Sequence, residues 1–208
     1  DAVACLIVCS FPDMKVVYES YKRVKMTLPY IAGYLAFREV EPLVDLINEL
    51  KNNQAKKHLL PQCIIIDGNG ILHMRGFGLA CHLGVLTGIP TLGCAKKMLY
   101  AYGITEPQHD ACYNKLLNRF DVQYLTSQVQ VRKNERVVAV IRTMTTDEEE
   151  PIYISAGHLL SLETSVKIVL ACCNKPAASN ASTPFEEIRL PIPVHLADAM
   201  SRQYIKQF

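Results

Sequence analysis

The chain has 208 residues, half of them hydrophobic and a fifth charged, with a formal net charge of +2. That length suits one domain with a sizeable core. A charge so near zero excludes charge alone as an argument for nucleic-acid binding, so any basic surface must come from clusters such as Lys51, Lys56 and Lys57, or Lys96 and Lys97.

The first stretch reads as two strands, an apolar run Val3–Val8 and a β-former-rich run Lys15–Val24, joined by the turn-like Phe11-Pro12-Asp13. Pro29 and Gly33 mark a loop. Val40, Leu43, Val44, Ile47 and Leu50 follow helical spacing, which puts Glu39 near a helix start. Cys63–Ile66 is a short, continuously apolar strand of the kind buried on both faces, ending in the sharp loop Asp67-Gly68-Asn69-Gly70. Gly78–Leu86 reads as a helix and Pro90–Cys94 as another strand, so the order strand–helix–strand predicts a parallel α/β core. Glu106–Phe120 reads as irregular or partly helical. Val122–Val131 and Arg136–Met144 form a predicted β pair, and Asp147–Glu150 an acidic loop. Ile152–Ser155 is a strand running into Gly157-His158. Ser161 is placed to cap the next helix, with Glu163 in its first turn. Asn174–Pro184 reads as a loop and Pro193–Ile205 as a terminal helix.

Eight cysteines occur, none with paired C-x-x-C spacing, which argues against a zinc site and for free buried thiols in a reducing compartment. No apolar run reaches the roughly 20 residues that a membrane span needs, and no signal peptide opens the chain. The first residue is not Met, as expected of a piece of a longer protein.

Taken singly, the polar candidates have plain structural readings: Glu39 as a carboxylate favoured by a helix start, Asp67 as a turn residue, His158 as a satisfied core histidine. Their placement raises them. Asp67, Lys96 and His158 each fall just past the C-terminal end of a predicted strand, the edge at which α/β sheets form sites. Carboxylates gathered there suit a hard divalent ion, and a lysine can neutralise a phosphate as a point charge.

Five segments then resemble one family. Pro29 to Glu39 is similar to the PYxxGxLxFRE segment of endonuclease V, and Ile66 to Gly84 to its DGxGxxHxRGFGxAxHxG segment. Pro90 to Lys97, Ser155 to Glu163, and Arg189 to Asp198 resemble its PxxGVAK, VGHRxSLE and RxPxPxRxAD segments, in the family's order. Only about 105–150 lacks a clear match. The wording around Ala80-Cys81-His82-Leu83 is closest to animal members.

The resemblance implies a ribonuclease-H-like α/β fold, a mixed sheet flanked by helices, in one domain over residues 1–208. It implies hydrolysis of inosine-containing nucleic acid at the second phosphodiester 3′ to the inosine, with Mg²⁺ as cofactor and Mn²⁺ as a substitute. It assigns Glu39, Asp67, Lys96 and His158 to the active site, with Glu39 and Asp67 as metal ligands. Tyr30, within Pro29, Ile31 and Ala32, maps onto the wedge that fills the gap left by an extruded base; stacking of this kind is worth ~1–3 kcal/mol per base. Gly33, Gly70 and Gly93 map onto loops around the base pocket, where backbone groups could read hypoxanthine. His73 and Arg75 map onto phosphate-backbone contacts, whereas His82 reads as packing. Single-stranded RNA is favoured over DNA as the partner, with a monomeric protein in cytoplasm and nucleus expected.

The family pattern is broken in places. Its D-[VLI]-S-[YF] first strand, which carries a metal-binding aspartate, has no match, because Asp1 precedes Ala2-Val3-Ala4 and the run Ala4–Val8 resembles the family's second strand. The domain is therefore expected to be N-terminally truncated, with its activity in doubt. Ala32 replaces a proline of bacterial members. Leu159 and His195 replace arginines, and Asp198 stands as a candidate for the periphery of the site. The alternative functions are a catalytically inactive inosine-binding module and another ribonuclease-H-like nuclease such as a resolvase.

Overall fold

Strands β1 (Ala2–Cys9) and β2 (Val16–Val24) pair antiparallel as a hairpin, with Ala2 opposite Val24 and Cys5 opposite Tyr21. The computed structural model describes residues 2–29, 31, 33–116, 121–127, 135–142, 150–173 and 189–207. The hairpin is followed by helix α1 (Leu35–Asn52), strand β3 (Ile64–Asp67), helix α2 (Leu79–Thr87) and strand β4 (Thr91–Ala95). Helix α3 (Glu106–Tyr113) and strands β5 (Asp121–Thr126), β6 (Arg136–Arg142) and β7 (Ile152–His158) come next, then helices α4 (Leu162–Cys173) and α5 (Ile192–Ile205). The predicted loop Asn174–Pro184 and residues 147–149 of the acidic loop lie outside the described residues.

The second sheet has five strands in the order β3-β4-β7-β6-β5. Only β3 and β4 run parallel, joined by the α2 crossover that parallel strands require; β4–β7, β7–β6 and β6–β5 are antiparallel. The expected parallel core is thus one strand pair wide, and the sheet is the mixed, helix-flanked one that the family resemblance implied.

Strand alternation sorts the core into layers. Ile64 and Ile66 join Val40 and Ile47 of α1 and Leu83 of α2 on one face. Leu92, Cys94, Ile152 and Ile154 join Leu162, Val166 and Val169 of α4 on the other. In β6, Val137 to Ile141 are all fully buried, because α4 covers Ala139 and Ile141 while Val138 and Val140 pack with Leu116 and Leu125. Each such side chain contributes on the order of 1.5–3 kcal/mol. No described helix is long and apolar enough to cross a membrane.

Helix starts follow local chemistry. The Thr164 N–H donates to Ser161 Oγ at 3.1 Å, the cap expected for α4. At α3, the Thr105 N–H donates to Gln108 Oε1 at 2.8 Å and closes a capping box, which makes a full helix where the sequence reading saw an irregular or partly helical stretch.

The hairpin and the five-stranded sheet are not joined edge to edge. Among the described residues, strand β1 pairs only with β2, and β3 only with β4. Helix α5 packs on both β1 and β3, while α1 packs on β1 and on α2. Between the facing edges lies an apolar groove of about 800 Å³, lined by β1 and β3 along their whole lengths.

Candidate active site

Pleating aims the first two groups. Asp67 ends β3 in step with Ile65, and Lys96 follows β4 in step with Leu92 and Cys94, so both turn toward the α4–α5 layer. Lys96 Nζ donates to Asp67 Oδ2 at 2.8 Å. Asp198 meets the same ammonium from α5, with Oδ1 at 3.6 Å, and its other oxygen lies 3.0 Å from the Arg202 guanidinium one turn on. Arg189 fixes the backbone beneath: it donates to the carbonyls of Lys96 at 2.7 Å and Pro151 at 2.8 Å, tying the end of β4 to the start of β7.

Glu39 lies on α1 and lines the groove together with Asp67. Burial pushes its carboxyl above the usual carboxylate range; Arg38 pulls it down and the Asp67 charge pushes it up again. A second carboxylate held under such conditions gains from a nearby cation. Glu39 and Asp67 therefore fit a hard divalent ion, which needs only one or two carboxylates when water and phosphate complete its shell. Among the described residues, no group of three or more acidic, His or Cys side chains converges as a ready metal cage.

His158 is placed elsewhere. The sequence argument had Asp67, Lys96 and His158 share one edge, but β7 is antiparallel to β4, so its C-terminal end is the opposite edge. His158 pairs with Thr91 while Asp67 pairs with Cys94, an offset of three residues or roughly 10 Å along the strand direction, with β4 lying between them. A register shift between Thr91 and Leu92 gives β7 an extra residue there. The His158 N–H donates to Thr91 Oγ1 at 3.0 Å, and its side chain abuts Gly84 of α2, where an added Cβ would collide with it. The structure thus groups Glu39, Asp67, Lys96 and Asp198 and leaves His158 out.

The other candidates form a second cluster. Pro29 and Ile31 are exposed, whereas Tyr30 and Ala32 lie outside the described residues. Arg75 Nη1 donates to the Gly33 carbonyl at 2.9 Å and its guanidinium sits 4.1 Å from the centre of the Tyr34 ring. His73 also hydrogen-bonds the Gly33 backbone; burial first, then the Arg75 charge, lower its pKa. His73 and Arg75, expected on phosphates, here tie the segment after Pro29 to the loop after β3.

Gly70 and Gly93 make that loop possible. A Cβ on Gly93 would lie 2.5 Å from both the Gly68 carbonyl oxygen and the Gly70 nitrogen, and one on Gly70 would collide with the Ala156 carbonyl. The Gly70 N–H donates to Ser155 Oγ at 2.8 Å, and its carbonyl accepts from the Gly78 N–H at 2.9 Å. Its backbone groups are engaged inside the protein, so the observed work of Gly70 and Gly93 is close packing rather than display of groups to a base. His82 packs edge-on against Phe37 at 5.3 Å, as read from the sequence.

The positioning role of Arg189 was missed in the sequence, although it opens a matched motif; only the distance to the Lys96 carbonyl reveals it. Asp198, read as peripheral, reaches Lys96 because α5 returns across β3.

A mixed sheet with helices on both faces, and acids and a lysine gathered at the end of its parallel pair, defines the ribonuclease-H-like class of α/β protein. Within that class, the chain belongs to the Endonuclease V family: the family model of that description matches residues 1–199. Human endonuclease V is 38% identical over 210 residues, an alignment covering 99% of this chain and 66% of the human protein, so the chain spans just under two thirds of that relative. The crystal structure of human ENDOV superposes with a TM-score of 0.84 at 38% identity, covering 99% of this chain and 78% of that one. Ciona intestinalis endonuclease V, in complex with a 24mer DNA containing an inosine followed by a ribo-adenosine, gives 0.81 at 34% identity, with 99% and 79% covered. The family match removes the resolvase-type reading.

Proposed function

We propose that this chain is the core of a Mg²⁺-dependent endonuclease that cuts inosine-containing nucleic acid at the second phosphodiester 3′ to the inosine, with single-stranded RNA preferred to DNA. The observation that carries the reading is Lys96 held between Asp67 and Asp198 at the end of the parallel strands, with Glu39 beside them. The inosine-containing ligand of the Ciona relative supports the substrate class.

Glu39 and Asp67 would hold the ion, which supplies a more acidic bound water and positive charge against a phosphate oxygen. The chain's own groups do the rest. Lys96 Nζ offers a point charge to the scissile phosphate, and its two acid partners keep it at the edge rather than loose in solvent. Asp198 also holds Arg202, which places a second cation one helical turn away. The exposed Pro29 and Ile31 flank Tyr30, the ring assigned to stack in the gap left by the extruded base.

The test is cleavage of matched oligonucleotides carrying inosine as ribo- or deoxyribonucleotide, single- or double-stranded, with Mg²⁺ and with Mn²⁺. Selective cutting of the single-stranded ribo substrate, weakened by Tyr30→Ala, is the expected result; cutting of neither nucleic acid by the protein that carries this chain overturns it. The second reading is a module that binds inosine without cutting, favoured by the lack, among the described residues, of a cluster of three or more candidate metal ligands. It requires tight binding of the same oligonucleotides unaffected by Asp67→Ala.

A further inference from the structure

The catalytic reading leaves one exposed feature unused. A stripe of rings crosses the surface from the segment after Pro29 to α2. Tyr34, whose N–H donates to the Ile31 carbonyl at 3.0 Å, has its ring centre 6.1 Å from that of Phe37 on α1. Phe37 meets His82 of α2 edge-on at 5.3 Å, and His82 meets Phe77 at 5.7 Å. The Arg75 guanidinium closes one end of the stripe, 4.1 Å from the centre of the Tyr34 ring.

These rings are not spent on the core. Phe37 is 65% exposed, Tyr34 45% and Phe77 44%, although the same two helices bury Ala36, Val40 and Leu83. Val85 and Leu86, one turn past His82, extend the apolar surface and are more than half exposed. A contiguous apolar patch of this kind marks an interaction surface. Its ring content narrows the occupant. Flat faces offered in succession, with a guanidinium at one end, suit nucleobases and the phosphates that join them, because every base has a π face and stacks with little regard to sequence. A base pair inside a duplex has its faces already covered, so such a surface selects unpaired bases.

Helix geometry gives the direction. Phe37 and Glu39 are two positions apart on α1, about 200° around the helix, so they face opposite sides of it. Under the proposed function, on which this inference rests, cutting 3′ to the inosine puts the 3′ nucleotides on the Glu39 side. The geometry points to a stacking shelf, made of Tyr34, Phe37, His82 and Phe77, for the unpaired bases immediately 5′ to the inosine. The strand state of the 5′ flank thereby becomes a determinant of specificity: a single-stranded flank gains the shelf and a paired flank does not. Arg75 supplies a cation to the backbone where the flank enters the stripe.

The experiment measures binding by the protein that carries this chain, with Ca²⁺ in place of Mg²⁺ to neutralise the carboxylates. The probe is a labelled single-stranded RNA with one inosine. It is compared with versions that carry abasic sites at the two positions 5′ or the two positions 3′ to the inosine, and with one whose 5′ flank is annealed to a complementary strand. Phe37→Ala and Phe77→Ala are each expected to weaken binding of the intact probe about tenfold, the order of one lost stacked base, with circular dichroism unchanged. The 5′ abasic sites and the 5′ duplex are expected to weaken the unsubstituted protein as much and to cost the variants nothing further, whereas the 3′ abasic sites leave the effect of the variants intact. Phe37→Trp keeps the affinity, and Phe37→Leu, apolar but without a π face, loses it. Failure of the unsubstituted protein to bind any inosine-containing RNA overturns the proposed function and the inference with it. Binding that the Phe37 and Phe77 variants leave unchanged, or losses that simply add to those of the 5′ abasic sites, overturns the shelf alone and leaves the stripe to a protein partner.

Discussion

At one end of β3 and β4, Asp67, Lys96 and Asp198 stand in a chain of charges that solvent reaches, with side-chain exposures of 48%, 31% and 32%. At the other end, Thr91 is fully buried, donates to the Ala80 carbonyl at 2.6 Å and accepts from His158 at 3.0 Å, while Gly84 and Gly157 leave no room for even a Cβ. The first end is charged and open; the second is close-packed and internally satisfied. Exposed ion pairs of the first kind stabilise a fold by only about 0–1 kcal/mol, so folding gains little from their convergence.

That contrast can be broken or sharpened by substitution. Asp67→Asn is expected to lower the cleavage rate on the order of 10²–10³-fold, as loss of one preorganised charge partner does, with Tm nearly unchanged; a comparable loss of Tm would move Asp67 from the chemical end to the structural one. Asp198→Asn should cost about tenfold in rate, the equivalent of ~1.4 kcal/mol, because Lys96 keeps its shorter bond to Asp67. A rate unchanged by this variant would detach α5 from the site. Gly93→Ala is expected to destabilise by about 1–3 kcal/mol in urea unfolding, since its Cβ meets the backbone of the loop after β3.

His158→Ala should lower stability by about 1–2 kcal/mol and leave cleavage within about threefold at a temperature where the chain is folded. Abolished cutting at unchanged Tm would return His158 to the catalytic group and end the comparison. The smallest effect concerns Glu39. Its carboxyl is raised in the folded chain, so the folded state holds that proton more tightly than the unfolded state, and ionisation opposes folding as pH rises through the folded value. Glu39→Gln is therefore expected to raise Tm slightly at neutral pH in the presence of a chelator, with the gain gone below pH ~4, where both states are protonated. An equal Tm at both pH values would show that the burial of Glu39 carries no folding cost.

Much of this fold was legible along the chain. The apolar run before Asp67 announces a strand, although Cys63 and Ile65 stay half-buried; the run Arg136–Met144 announces a strand of a β pair, and Ser161 announces a helix start. Helix α3 was less legible, although Thr105 and Gln108 have capping-box spacing; the segment lacks a strong apolar stripe, so the cap carries more of the signal than the pattern does. In the site, Asp67 and Lys96 could be read as strand-end residues because β3 and β4 are parallel neighbours. His158 satisfied the same rule and was misplaced by it, because chain order does not reveal that β7 runs the other way. Asp198 sits on a helix more than a hundred residues beyond Lys96, and no local pattern gives the path that returns it there.

The hydrogen bond from Arg75 to the Gly33 carbonyl links segments 42 positions apart. With the guanidinium also lying over Tyr34, the entrance strip near Pro29 is latched to the loop that follows the acidic strand. Any outward displacement of this strip must release the latch or carry the loop with it. Under the proposed function, the latch favours a ligand that hands Arg75 a replacement acceptor, such as a phosphate oxygen, as the carbonyl is given up.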